Sequence, residues 1–260
     1  MKVLVTGAGS GVGMATSALL AARGHEVVAT ARDLDKLGGL HVATKLCLDV
    51  TDAASVEAAR GEVGRLDALV NNAAIAFDGP VEQVAMDDVR KMFDTNVFGP
   101  VRMIQAFVPA MRERGAGVIV NVSSVAGHVA QPLDGFYSAT KHALEAISEA
   151  LYIELAHFGV RVVIVEPGFI APSMKVHQAA DAPAYDELEA QLGALANKLQ
   201  AGARPGPEAV AKAIADAIED AEGPLRRRVG ADADLILSAR GSLGDKEFES
   251  AMRAVVGLTW

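Results

Sequence analysis

Tyr137 and Lys141 stand four residues apart in the stretch GFYSATKHALE, which runs from Gly135 to Glu145. On a helix, positions i and i+4 lie one above the other on the same face. A phenol and an ammonium held there are either a solvated pair or a proton-transfer couple. A free tyrosine, with a pKa of roughly 10, is a poor base near neutrality. A cation one turn away favours its phenolate and makes it usable in acid–base chemistry.

A second constellation lies at the other end of the chain. The run TGAGSGVG, from Thr6 to Gly13, follows a short apolar run and precedes a helical pattern. Gly7, Gly11 and Gly13, with Ser10 and Val12 between them, allow a tight turn and close approach of a phosphate to a helix N-terminus. Such a loop is a weak signal alone and a good one between a strand and a helix. At the end of the next apolar run stand Ala31 and Arg32, where NAD enzymes usually place a carboxylate. A guanidinium suits a ribose 2′-phosphate, so NADP is expected over NAD, although Asp33 next to it weakens the field. Asp49 and the Val50 backbone, after the third run, suit the adenine. Asp49 reads equally as a helix N-cap, a role open also to Thr51 or Asp52.

The elements that must position these residues follow from hydrophobic patterning. KVLVTG, HEVVAT, TKLCLDV, LDALVNN, GVIVNVSS and VRVVIVEPG are short apolar runs typical of strands buried on both faces. Amphipathic stretches such as MATSALLAARG and DAASVEAARGEVG separate them. This alternation predicts an α/β fold: a single-domain, Rossmann-like, doubly wound parallel sheet with helices on both faces. Residues 169–207 are the least regular part and follow the sixth strand, so they form a candidate substrate lid. The 51% hydrophobic and 22% charged content fits a packed globular chain. A net charge of −9 argues against sequence-independent nucleic-acid binding. The one basic cluster, Arg226–Arg228, reads as a solvated strand or turn edge. Cys47, the single cysteine, reads as a buried core thiol. With no signal-peptide pattern and no membrane-length apolar stretch, a cytoplasmic location without membrane contact is expected.

Several motifs occur together and in order: TGAGSGVG, LDV, VNNAA, DTNVFG, NVSS, YSATK and VEPGFI, covering residues 3 to about 172. In this the sequence resembles the short-chain dehydrogenase/reductase family, and the C-terminal stretch PLRRRVGADADLILSARGSL is similar to its 17β-hydroxysteroid and retinol dehydrogenase-like branch. The resemblance implies a catalytic tetrad of Asn96, Ser124, Tyr137 and Lys141. Hydride would pass between nicotinamide and a carbonyl carbon while Tyr137 exchanges the proton. Ser124 would hold the substrate oxygen, and Asn96 a water linking Lys141 to solvent. The tyrosine–lysine pair then reads as the proton couple. Cofactor contacts would come from Gly7, Ser10, Gly11, Val12, Gly13, Arg32, Asp49, Val50, Asn72, Tyr137, Lys141 and the Ile170 backbone.

Two departures from the family pattern stand out. Ala74 replaces the usual glycine of the NNAG motif, and Pro172 stands where the family often has a carboxamide-binding threonine, with Ser173 one residue on. The six histidines show no metal-ligand spacing, and no metal is expected. His128, four residues after Ser124, reads as an exposed loop histidine, or else as part of the substrate loop. Met174, Val176, Tyr185, Leu188, Leu192 and Leu195 in the candidate lid either clasp a lipophilic substrate or bury the lid itself. An alcohol/carbonyl substrate is the leading expectation. The alternatives are a carrier-linked ketoacyl substrate, against which the acidic charge argues, and a non-catalytic NADP sensor or scaffold, which would not need the whole tetrad. The tyrosine-bearing helix is apolar nearly all round, through Ala143, Leu144, Ile147, Ala150, Leu151, Ile153, Leu155 and Phe158. With the similar excess in VFGPVRMIQAFVPAM, this predicts a homodimer or homotetramer.

Overall fold

The computed structural model describes residues 1–171, 176–178, 182–200 and 204–260. The expectations placed on Pro172, Ser173 and Met174, and on the Leu195 side chain, fall outside what is described. In chain order the strands are β1 (Lys2–Val5), β2 (Glu26–Ala31), β3 (Thr44–Cys47), β4 (Ala68–Asn71), β5 (Ala76–Asp78), β6 (Gly117–Val122), β7 (Val160–Pro167), β8 (Val176–Gln178) and β9 (Arg226–Val229). The helices are α1 (Gly11–Ala22), α2 (Ala53–Val63), α3 (Met86–Phe93), α4 (Gly99–Arg114), α5 (Gly135–Ala156), α6 (Asp186–Gln200), α7 (Pro207–Glu219), α8 (Ala231–Ser242) and α9 (Asp245–Val256).

Seven strands make one sheet in the order β3-β2-β1-β4-β6-β7-β9. Every pairing in it is parallel. Side chains alternate between the faces with period two. Val3, Val5, Val27, Val70, Val120 and Val163 pack with Leu20 of α1 and with Val210, Ile214 and Ile218 of α7. Leu4, Val28, Leu69, Ile119 and Val162 pack on the other face with Val56 of α2, Met103 and Phe107 of α4 and Leu155 of α5. The molecule is therefore a doubly wound α/β sheet with helices on both faces. The order reverses between β1 and β4, and a crevice opens there at the strands' carboxyl ends.

Two expectations are corrected by strand position. Cys47 is exposed, not buried. It ends β3, the edge strand, where Leu46 and Leu48 are buried and Lys45 and Cys47 face solvent. One face of that strand is wet, so its apolar run is only half a core strand. The Arg226–Arg228 cluster forms β9, the opposite edge, but its cations are paired rather than freely solvated. Arg226 meets Glu149 at 2.6 Å and Glu166 at 3.0 Å, and Arg227 meets Asp220 at 2.5 Å.

The candidate lid is more regular than its sequence suggests. β8 pairs in parallel with β5, His177 stacks on Phe77 with centroids 5.1 Å apart, and α6 follows. Tyr185 donates to Glu82 at 3.0 Å and stacks on Trp260, and Gln191 accepts from the Thr259 N–H at 2.9 Å. Among the described residues no helix is long and apolar enough to cross a membrane.

Candidate active site

The crevice is built first by the glycine-rich loop. Gly7 and Gly11 adopt φ values of +69° and +52°, which side chains with a Cβ rarely tolerate. A Cβ on Gly13 would lie 2.3 Å from the Gly7 carbonyl oxygen, so only glycine lets α1 seat on the loop. The first bond of the helix runs from the Met14 N–H to the Ser10 carbonyl at 3.2 Å. The N–H groups of Gly11, Val12 and Gly13 precede it and have no partner within the helix. Space beyond Gly11 is open to 4 Å. Three free donors at a positive helix end, with an open approach, fit a dinucleotide pyrophosphate.

Asn72 braces this loop. Its Nδ2 donates to the Thr6 and Gly7 carbonyls at 2.8 and 3.3 Å, while its own N–H and that of Ala73 donate to Thr6 Oγ1 at 2.9 and 3.0 Å. Nothing in the sequence marked Thr6 as the partner. Arg32 is exposed just past β2, at the carboxyl end of the strand. The capping alternative resolves in favour of Asp52, whose carboxylate accepts from the Ala54 N–H at 2.9 Å. Asp49 instead holds the turn through Thr51, accepting from its N–H at 2.9 Å and its hydroxyl at 2.7 Å. Val50 is buried, and its carbonyl accepts from Arg102 at 3.3 Å. Across the crevice, Ile170 lies in a loop fixed by Asp232, which accepts from the Phe169 N–H at 2.6 Å.

The chemical end sits where β6 meets α5. Ser124 follows β6 and opens the turn Val125–Gly127, accepting from the Ala126 N–H at 3.2 Å. Tyr137 and Lys141 lie on α5 as the i, i+4 spacing predicts, with Lys141 Nζ 5.6 Å from the centre of the tyrosine ring. The ammonium is buried and donates to the Val122 carbonyl at 2.8 Å. Burial lowers its pKa to about 8, against the opposing influence of Glu145. Burial pushes the Tyr137 phenol above its usual value and Asp134 adds to this, while hydrogen bonding with Ser124 acts the other way. The phenol is thus held neutral at pH 7.

Asn96 occupies a π-helical turn, Asp94–Phe98, between α3 and α4. Its Nδ2 donates to the Ile75 carbonyl at 2.8 Å and to Thr140 Oγ1 at 3.1 Å, and its Oδ1 accepts from the Ile75 N–H at 2.9 Å. Thr140 in turn donates to the Tyr137 carbonyl at 2.7 Å. The Asn96 side chain is spent as a brace on the tyrosine's own helical turn, a link the sequence did not announce.

Two carboxyls near the phenol were also missed. Burial and the neighbouring Asp78 raise Asp134 to about 8. Burial and Glu189 raise Asp78 to about 6. His128 is corrected too: it is half-buried, with Nε2 2.9 Å from Glu166 and 3.6 Å from Glu145.

Known proteins are similar to this chain in sequence and in fold. Residues 1–183 match the family model of the short chain dehydrogenases. Retinol dehydrogenase 8 of Bos taurus is 34% identical over 253 residues, spanning 87% of this chain and 80% of that protein. A solved short-chain dehydrogenase from Streptomyces avermitilis is similar at TM-score 0.83 and 37% identity over 97% of both chains. One from Burkholderia cenocepacia, in complex with NADP, is similar at TM-score 0.79 and 26% identity, covering all of this chain and 98% of that one. With its sheet, its crevice and two thirds of its length in agreement, this chain belongs to the short-chain dehydrogenase family and is an oxidoreductase acting on CH–OH groups with NAD(P).

Proposed function

We propose that the protein interconverts an alcohol with a ketone or aldehyde, prefers NADP(H), and uses Tyr137 as its acid–base group. The observation that carries this is the convergence of the Ser124 hydroxyl, the Tyr137 phenol and the Lys141 ammonium at the carboxyl end of β6. Gly11, Val12 and Gly13 would hold the pyrophosphate and Asp49 and Val50 the adenine side, with Arg32 placed for a 2′-phosphate. The dinucleotide supplies or accepts the hydride. Ser124 donates to the substrate oxygen and fixes it beside the phenol. In reduction, Tyr137 gives its proton to that oxygen, and the buried Lys141 ammonium stabilises the phenolate left behind. In oxidation the same phenolate takes the proton back. Asn96, through Thr140, keeps the tyrosine's turn in place.

Residues 169–207 act as the substrate lid, and the substrate is a bulky apolar alcohol or ketone of the 17β-hydroxysteroid and retinol type. The kinship with retinol dehydrogenase 8 supports that class, as does Val176, 43% exposed on β8. The active form is a homodimer or a tetramer built from two such dimers. An exposed stripe of α5 supports this, with Ala146, Ala150 and Ile153 at i, i+4 and i+7 and Ile153 75% exposed.

Purified protein with NADPH, assayed against steroid ketones, retinoid aldehydes and β-ketoacyl thioesters, tests the class. Turnover confined to the thioesters would favour a ketoacyl reductase, and no turnover at all a sensor. Tyr137→Phe should cost roughly 10²–10⁴-fold in kcat while NADPH binding persists. A variant retaining more than about a tenth of the activity would remove Tyr137 from the mechanism.

A further inference from the structure

Behind the tyrosine–lysine pair lies a buried ion network that the reaction described above does not use. Glu145 sits one turn beyond Lys141 on α5 and is 6% exposed, and Glu166 on β7 is fully buried. Burying two carboxylates side by side is costly unless cations meet them. Arg226 Nε on β9 lies 3.2 Å from Glu145 and 3.0 Å from Glu166. His128 Nε2, reaching from the turn that begins at Ser124, approaches the same oxygens, Glu166 Oε1 at 2.9 Å and Glu145 Oε2 at 3.6 Å. The turn and the helix also touch directly. A Cβ on Gly127 would lie 2.9 Å from Glu145 Cγ and 2.8 Å from Ser123 Oγ, so the turn is pressed against the Glu145 side chain.

We propose that His128 is a positioning residue: by bridging Glu145 and Glu166 it clamps the Ser124 turn to the helix that carries Tyr137 and Lys141. Hydrogen bonding to Glu145 and to Glu166 raises the His128 pKa to about 9 against the cost of burial. The ring is therefore a cation at neutral pH, and the network balances two carboxylates with two cations. The other charged groups facing it are Lys141 on α5, whose ammonium Glu145 favours, Glu149 on α5, 2.6 Å from Arg226, and Arg228 on β9, 3.8 Å from Glu166, itself 3.9 Å from Asp234 on α8. The folded-state value lies above the ordinary 6.5. The clamp's contribution is then complete below about 6.5 and lost as pH rises through about 9. His128, Glu145 and Glu166 offer donor atoms within 4.8 Å of one another, a spacing a metal ion could use. The Arg226 guanidinium already sits on the same carboxylate oxygens, which favours an ion-pair clamp over a cation site.

The inference rests on Ser124 and Tyr137 being the reacting pair, and its test separates the two ideas. His128→Asn removes the charge and keeps a polar side chain, whereas His128→Arg keeps a cation. Hydrogen exchange at pH 7 needs no substrate. Protection of the amides of residues 123–129 should fall about tenfold in the asparagine variant and return in the arginine variant. With saturating NADPH and the panel ketone turned over fastest, kcat of His128→Asn should be about tenfold low at pH 7. It should converge with the unmutated enzyme above about pH 10, once the histidine is neutral in both. His128→Arg should restore kcat at pH 7. Unchanged exchange, an equal loss at pH 7 and pH 10, or no recovery with arginine would each overturn the proposal. If Tyr137→Phe is inactive while His128→Asn behaves as the unmutated enzyme, only the clamp fails. If Tyr137→Phe is active, the underlying site reading fails first.

Discussion

Arg32 projects from the carboxyl end of β2 and, among the described residues, forms no ion pair. Nothing in the fold requires its charge, so a 2′-phosphate is the partner that would give it one. A charge-assisted hydrogen bond contributes roughly 1.5–3 kcal/mol, so Arg32→Ala should weaken NADPH binding by about one to two decades. NADH binding should be nearly untouched, and equilibrium titration with both dinucleotides checks it. Equal affinity of the unmutated protein for the two would remove the basis for the preference. At this scale Tyr137 and Lys141 were legible from their spacing of one helical turn, and Asn96 and Ser124 through the family resemblance. Asp78, Asp134, Glu145 and His128 were not, since an isolated charged residue in a polar stretch looks like surface. Glu166 was different. A carboxylate inside the apolar run VRVVIVEPG needs a buried cation, but the arginines that supply it read as a solvated edge, so the pairing emerged only in the fold.

Among the elements, α5 begins under strain of charge. Asp134 occupies its N-cap position yet makes no capping bond with its side chain. Burial and Asp78 hold its pKa near 8, from an ordinary 3.8. A carboxyl raised this way stabilises the fold fully only below about 3.8, and that stability drains away as pH climbs through about 8. Asp134→Asn keeps the shape and removes the titration. Its thermal midpoint should match that of the unmutated protein near pH 4 and exceed it by on the order of a few degrees at pH 8.5. A constant difference across that range would exclude the ionisation as the cause. The apparent pKa of the Tyr137 phenol should fall as well, since Asp134 is one of the influences raising it. Six strands were legible as apolar runs. β9 was not legible as a buried partner because RRRV carries its stabilisation in ion pairs, and the β5–β8 ribbon was missed because three-residue strands leave no periodicity to read.

For the whole molecule the open matter is what covers α4 and α5. Phe98, Tyr152, Ile153 and Phe158 remain exposed on or beside them, and Arg112 rests 5.8 Å over the Phe158 ring. The sequence pattern showed the excess of apolar residues, and the fold leaves Ile153 and Phe158 in solvent while it buries Leu144 and Leu155. A second copy meeting this face about a two-fold axis would cover it. Ile153→Asp should then shift the light-scattering mass to that of a single chain at micromolar concentration, with the circular dichroism of the fold retained. A single-chain mass for the unmutated protein would instead leave the face exposed in solution.

The seventh strand also sets an order of events. Glu145 and Glu166 are made well before Arg226 during synthesis, and β9 is the last strand of the sheet in chain order. Until it docks, the two carboxylates lack their arginine partners and are met by His128, with the Lys141 ammonium acting on Glu145. A chain that has not yet made β9 already holds every other strand of the sheet, but leaves Glu145 and Glu166 without Arg226. Completion of the buried ion network would wait on an arginine some 80 residues downstream of Glu145 on the helix it steadies.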